Sequence, residues 1–164
     1  MNRRDFMEYM AAGTAAATLG QWPQNAQAQT QKPNIVYILS DDQGWADVGY
    51  HGSDIQTPNI DRLVASGTRL SQFYVQPICS PTRASFMTGR YTIRYGLQRP
   101  ITPWSRFGLP LEERTLAQGL KEAGYKTAVC GKWHLGFYTE GHLPTNRGFD
   151  HHYGHYNGTL DYYS

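Results

Sequence analysis

The residues best placed to do chemistry lie in Ile78-Cys79-Ser80-Pro81-Thr82-Arg83-Ala84-Ser85-Phe86-Met87-Thr88-Gly89-Arg90. Pro81 suits the first turn of a helix and Gly89 its end, so the spacing predicts a helix with Cys79 at its N-terminus. Free N–H groups there stabilise negative charge, and Arg83, about one turn on, can point a guanidinium at the same place. On these residues alone two readings stay open: an activated thiolate, or a structural cysteine at a helix end. Asp41 and Asp42 follow the apolar run Ile35-Val36-Tyr37-Ile38-Leu39. Ligands of open α/β sheets gather outside the carboxyl ends of strands, which favours a site there, although adjacent acids also form turns. Lys132 and His134 follow a second apolar stretch, Thr127-Ala128-Val129-Cys130. By themselves they are ordinary surface residues and gain meaning only in company with Cys79, Arg83 and the two aspartates.

The elements that must hold these residues alternate. Ile35 to Leu39 reads as a buried parallel strand, and Thr57-Pro58-Asn59-Ile60-Asp61-Arg62-Leu63-Val64 as a short helix with an N-cap, a proline at its first position and Gly67 as its stop. A strand is expected over about 69–75. Thr115 to Ala123 reads as a helix with a threonine cap, leucines at 116 and 120 on one face and Gly124 beyond it, and 127–130 as another buried strand. Such alternation predicts an α/β fold with a mostly parallel sheet. Cys130, in that last buried apolar strand, is expected to pack as a small hydrophobe; a disulfide to Cys79 would also block any chemistry at that thiol. His151, His152 and His155 are set aside as a metal site, since their spacing is uninformative and no cysteine lies near.

Cys-Ser-Pro-Thr-Arg followed by Ala-Ser-Phe-Met-Thr-Gly-Arg-Tyr resembles the signature of the sulfatase family. The resemblance continues in Ser40-Asp41-Asp42-Gln43-Gly44-Trp45-Ala46-Asp47-Val48-Gly49-Tyr50, in Gly131-Lys132-Trp133-His134-Leu135-Gly136, in Pro144-Thr145-Asn146-Arg147-Gly148-Phe149-Asp150 and in the closing Asp161-Tyr162-Tyr163-Ser164. Within the family the chain is most similar to arylsulfatase B, the N-acetylgalactosamine 4-sulfatase, and its relatives. The resemblance implies an alkaline-phosphatase-like fold, a mixed but mostly parallel sheet with helices on both faces, and hydrolysis of sulfate esters. It implies oxidation of Cys79 to formylglycine (3-oxoalanine) by a formylglycine-generating maturation enzyme. The hydrated aldehyde would contact a metal ion and attack sulfur through one hydroxyl, and loss of the proton from the other would then expel sulfate. By the same resemblance Asp41 and Asp42, with Cys79, contact calcium or, in its place, magnesium; Arg83 holds the diol and metal site together; Lys132 contacts the sulfate; and His134 takes the diol proton. The substrate implied is a sulfated carbohydrate or an aryl sulfate. The family draws further metal ligands, and a His and Lys near the leaving group, from regions farther along. The sequence is therefore expected to be the N-terminal part of a longer enzyme, inactive and poorly stable by itself.

Composition narrows the alternatives. A net charge of +2, spread along the chain, gives no basic footprint for nucleic acid. The 164 residues suffice for one core, and no apolar run is long enough to span a bilayer. Residues 1–28 are expected to be a twin-arginine signal: Arg3-Arg4-Asp5-Phe6, a mild apolar stretch from Met10 to Leu19, then Ala26-Gln27-Ala28 as a cleavage site. Residues 29–164 would then begin the catalytic domain, exported by the twin-arginine machinery to the periplasm or beyond. Asn157-Gly158-Thr159 fits a glycosylation sequon, which such bacterial export makes irrelevant. Two other classes compete with the hydrolase. A catalytically inactive sulfatase-like binding protein would not need a maturation signal, and a phosphatase of the related metal-dependent superfamily would carry serine or threonine at position 79.

Overall fold

The computed structural model describes residues 32–161 and Tyr163; the proposed signal, residues 1–28, lies outside them. The chain divides after Ser40 into two units. In the first, residues 33–40 form no strand or helix, and Ile35, Val36, Tyr37 and Ile38 are exposed. The expected strand over Ile35 to Leu39 is thus not formed. A strand is defined by ladder hydrogen bonds to a neighbour, and the ladder among the described residues runs between 128–132 and 151–155. The same holds for 69–75, which is coil and turn with Leu70, Phe73, Tyr74 and Val75 exposed.

Among its described residues the second unit contains three α-helices, α1 (Pro58–Ser66), α2 (Cys79–Thr88) and α3 (Leu116–Glu122), and two strands, β1 (Ala128–Lys132) and β2 (His151–His155). The helices follow their local signals. Pro58 opens α1, but Thr57 does not cap it; its hydroxyl accepts from the Gly49 amide at 2.8 Å and donates to Asp61 Oδ1 at 3.0 Å, tying a preceding turn to the helix. Gly89, left-handed at φ 65°, ends α2 with its amide on the Ser85 carbonyl. Thr115 caps α3 reciprocally: Gln118 N–H donates to Thr115 Oγ1 at 3.1 Å, and Thr115 N–H to Gln118 Oε1 at 2.8 Å.

β1 and β2 pair in parallel, with Ala128 opposite His151, Cys130 opposite Tyr153 and Lys132 opposite His155. The parallel pairing accords with the expected α/β class. β1 begins one residue later than the sequence suggested and runs on to Lys132. β2 was not anticipated, because its polar His-His-Tyr-Gly-His carries no apolar period. The pleat places His151 and His155 on one face and His152 on the other. Cys130 is exposed rather than packed, a correction to the sequence reading: the two-stranded sheet leaves that position uncovered.

The core gathers around α2. Ala84 and Met87, one turn apart, pack with Ala117 of α3, Trp133 and Leu135 just beyond β1, and Leu97, Ile101 and Leu109 from the intervening loop. Each fully buried large apolar side chain there contributes about 1.5–3 kcal/mol. Trp133 keeps its indole N–H satisfied on the Gly136 and His142 carbonyls at 3.0 and 2.9 Å. Arg147, 2 % exposed, donates to the carbonyls of Pro110, Leu111 and Glu113, and its own carbonyl accepts from Thr115 Oγ1 at 2.7 Å. That buried guanidinium fixes the loop leading into α3 against the loop leading into β2.

Candidate active site

The core just described presses the N-terminal turn of α2 against the chain leaving β1, so several of the residues singled out in the sequence meet. Cys79 is the first residue of α2, after Ile78 in extended conformation, and is partly exposed with a free thiol. One turn on, Arg83 Nη1 donates to the Lys132 carbonyl at 2.7 Å, crossing from α2 to the end of β1. Its Nη2 reaches Asp41 Oδ1 at 3.5 Å. Lys132 Nζ lies 3.0 Å from Asp41 Oδ2 and 3.3 Å from Oδ1. Burial would raise the Asp41 carboxyl pKa, but the Lys132 ammonium, as donor and as charge, and the Arg83 guanidinium outweigh it and hold it below the ordinary value.

Arg83 and Lys132 have side chains only 13 % and 10 % exposed, so this cationic pair sits largely out of water, where its field on an anion is strong. Arg83 Nε is buried without a hydrogen-bond partner among the described residues. An oxyanion bound here would find donors already aimed and partly desolvated.

His134 is 4 % exposed and stands in the left-handed region at φ 57°, uncommon for a residue with a Cβ. Its amide donates to the Tyr156 carbonyl at 3.0 Å, extending the β1–β2 ladder past the strand ends, and its Nε2–H donates to the Ile101 carbonyl at 2.7 Å. Nδ1 is buried with no partner among the described residues. Burial first, then the positive charges of Lys132 and Arg83, lower the imidazole pKa against the raising effects of the Ile101 carbonyl and Asp41. A neutral ring with Nε2 protonated and Nδ1 bare is an acceptor suited to taking a proton.

Asp42 follows Asp41 with φ 55°, a conformation aspartate tolerates better than most residues. Asp41 and Asp42 are hard oxygen donors of the kind calcium and magnesium prefer, and they fit such an ion chemically as part of a set of six or more oxygens. Among the described residues Asp41, Asp42 and Cys79 do not converge into one cluster of three metal-binding side chains. The structure therefore brings together Arg83, Lys132 and Asp41 directly, and links His134 to the first turn of α2 through Ile101. It shows no contact joining Asp42 to them.

Three participants escaped the sequence reading. Ser80, Ile101 and Gly158 all touch the His134 arrangement or its support. Ser80 and Ile101 are joined only in three dimensions, and Gly158 was read merely as the middle of a sequon. The open groove lined by Phe86, Met87, Arg90, Glu113, Leu116 and Leu120 lies at the other end of α2 and holds none of the candidate residues.

Residues 33–164 match the family model described as Sulfatase. The chain is 50 % identical over 153 residues to "Arylsulfatase J" of Mus musculus, covering 93 % of this chain and 26 % of that protein. It is 47 % identical over 126 residues to "Arylsulfatase A" of Homo sapiens, covering 74 % and 25 %. Among solved structures it superposes on "Crystal structure of Ps i-CgsB in complex with k-i-k-neocarrahexaose" with a TM-score of 0.77 and 46 % identity, covering 80 % of this chain and 30 % of that one. The chain thus spans about a quarter of the length of these curated relatives. With the Cys79 helix, the Arg83–Asp41–Lys132 cluster and the match over 33–164 taken together, the chain belongs to the sulfatase family.

Proposed function

We propose that the protein to which this chain belongs is a sulfuric ester hydrolase acting on sulfated carbohydrates, with Cys79 matured to formylglycine. The observation that carries this reading is the placement of Arg83 and Lys132, two largely buried cations, across the first turn of the helix that begins at Cys79. The relative solved with k-i-k-neocarrahexaose supports a carbohydrate substrate over a simple aryl ester.

In this mechanism the sulfate group sits against Lys132 Nζ and the N-terminal amides of α2, which offset its charge as the ester oxygen departs. Arg83 holds the end of β1 to α2 through the Lys132 carbonyl, fixing the distance between the sulfate-binding lysine and the nucleophile. His134, with Nε2–H held on the Ile101 carbonyl, would take at its bare Nδ1 the proton released from the second hydroxyl of the hydrated residue 79. Asp41 and Asp42 would hold a divalent cation, calcium or magnesium, whose Lewis acidity draws charge from the sulfate oxygens. An aldehyde at position 79 is useful because its hydrate can release sulfate by collapsing back to the carbonyl, which a serine adduct cannot do. Maturation before export through the twin-arginine route, and residence in the periplasm or outside the cell, complete the proposal; the Arg3-Arg4 signal motivates it.

Mass spectrometry of the tryptic peptide Leu70 to Arg83, from protein purified out of its native host, tests the reading. A peptide in which Cys79 has exchanged its thiol for an aldehyde is the expected result. An intact, alkylatable thiol at full occupancy would favour a binding protein instead.

A further inference from the structure

We propose that Ser80 is a positioning residue for His134, acting through the backbone of Ile101 to fix which ring nitrogen carries the proton; the catalytic meaning of this rests on the sulfatase reading above. Ser80 is the second residue of α2 and fully buried, at 0 % exposure. Its hydroxyl does not cap its own helix. Ser80 Oγ accepts from the Ile101 amide at 3.1 Å, and the carbonyl of the same Ile101 accepts from His134 Nε2 at 2.7 Å. A carbonyl can only accept, so a correctly placed Ile101 forces the proton onto Nε2 and leaves Nδ1 bare.

Ile101 is itself clamped. Its side chain is 2 % exposed in the core, and the next amide, Thr102 N–H, donates to Ser105 Oγ at 2.9 Å. The imidazole is held from a third side by Gly158, where an added Cβ would lie 2.6 Å from His134 Cε1. The ring therefore cannot rotate away from Ile101 without disturbing packing, and its free nitrogen faces one way. Ser80 is next in sequence to Cys79, so the helix turn that presents the nucleophile also sets the protonation geometry of the histidine.

The test uses the full-length protein, matured in its native host, as wild type, Ser80→Ala and Ser80→Thr. Ring ¹⁵N shifts of His134 report the tautomer from histidine-labelled protein. Formylglycine content of the Leu70 to Arg83 peptide is measured alongside, so that kcat is expressed per matured site. Wild type is expected to show one tautomer, Nε2–H. Ser80→Ala is expected to show mixed tautomers and a kcat per matured site lowered about tenfold or more, the scale of a proton-transfer contribution, with KM little changed. Ser80→Thr, which keeps the hydroxyl, is expected to restore both. An unchanged Nε2–H tautomer in Ser80→Ala would overturn the proposal, whatever its activity. Should Ser80→Ala fail to fold or mature, Ser80→Cys, near-isosteric with a weak acceptor, is read for tautomer in its place. A wild-type protein lacking formylglycine would sink the sulfatase reading while the tautomer comparison still decides the role of Ser80.

Discussion

Arg83 makes two different contacts with one planar group: Nη1 on the Lys132 carbonyl and Nη2 toward Asp41. A lysine could reach one of them but not both, because its ammonium is a point charge on a flexible stem. Loss of a charge-assisted hydrogen bond costs about 1.5–3 kcal/mol, or about 10- to 100-fold in rate if it is felt in the transition state. On the proposed sulfatase reading, Arg83→Lys in the full-length protein is therefore expected to lower kcat per matured site by that factor, with formylglycine content measured on the same sample. A variant with full formylglycine and unchanged kcat would show that the bridge from α2 to β1 does not matter to turnover. His134 illustrates the same logic from the other side. Its left-handed backbone and buried, bare Nδ1 each cost free energy.

Among the elements, the end of α3 and the starts of both strands are joined through Asp150. Its carboxylate accepts from the Thr127 amide at 3.0 Å and pairs with Lys121 Nζ at 2.8 Å, while its amide donates to the Thr127 carbonyl at 2.8 Å. The Lys121 hydrogen bond, then the Thr127 amide, pull the Asp150 pKa from 3.8 down to about 2. A carboxyl whose folded pKa is depressed stabilises the fold above its unfolded value and loses that contribution as pH falls through the folded one. Asp150→Asn is thus expected to lower the urea midpoint at neutral pH, and its deficit against wild type should shrink as pH drops from 3.8 toward about 2. A deficit that stayed constant with pH would place the effect in packing rather than charge. The helices that frame these contacts were legible because their signals are local: Thr115 with Gln118 at the start of α3, Gly89 at the end of α2. Strands were legible only where a neighbour exists. Thr127-Ala128-Val129-Cys130 finds β2, whereas Ile35 to Leu39 enters no ladder among the described residues. The site followed the same division. Cys79, Arg83, Lys132 and Asp41 could be named from motif and resemblance, but the path from Ser80 to Ile101 to His134 joins residues 21 and then 33 positions apart, which no local pattern encodes.

For the whole molecule the decisive fact is how much apolar surface its second unit leaves uncovered. Leu63, Leu70, Phe73, Tyr74 and Val75 are each more than half exposed, and Tyr153, on the face of β2, is 83 % exposed. Parallel strands are ordinarily covered on both faces, yet β1 and β2 stand as a pair with Cys130 and Tyr153 open. An exposed apolar area of this kind calls for a covering surface. The relatives are about four times as long as the matched region, and on the proposed reading further sequence of the full-length protein covers this surface. On the proposed reading, Asp41 and Asp42 would likewise be only part of an oxygen set for a hard cation. Produced as a separate 164-residue polypeptide, the chain is expected to bind an apolar dye strongly, to unfold over a broad range of urea and to give no measurable sulfatase turnover. The same residues within the full-length protein should bind little dye and unfold sharply. A sharp, cooperative transition with low dye binding for the separate polypeptide would mean that its core, gathered around α2, is sufficient by itself and that the exposed residues serve another purpose.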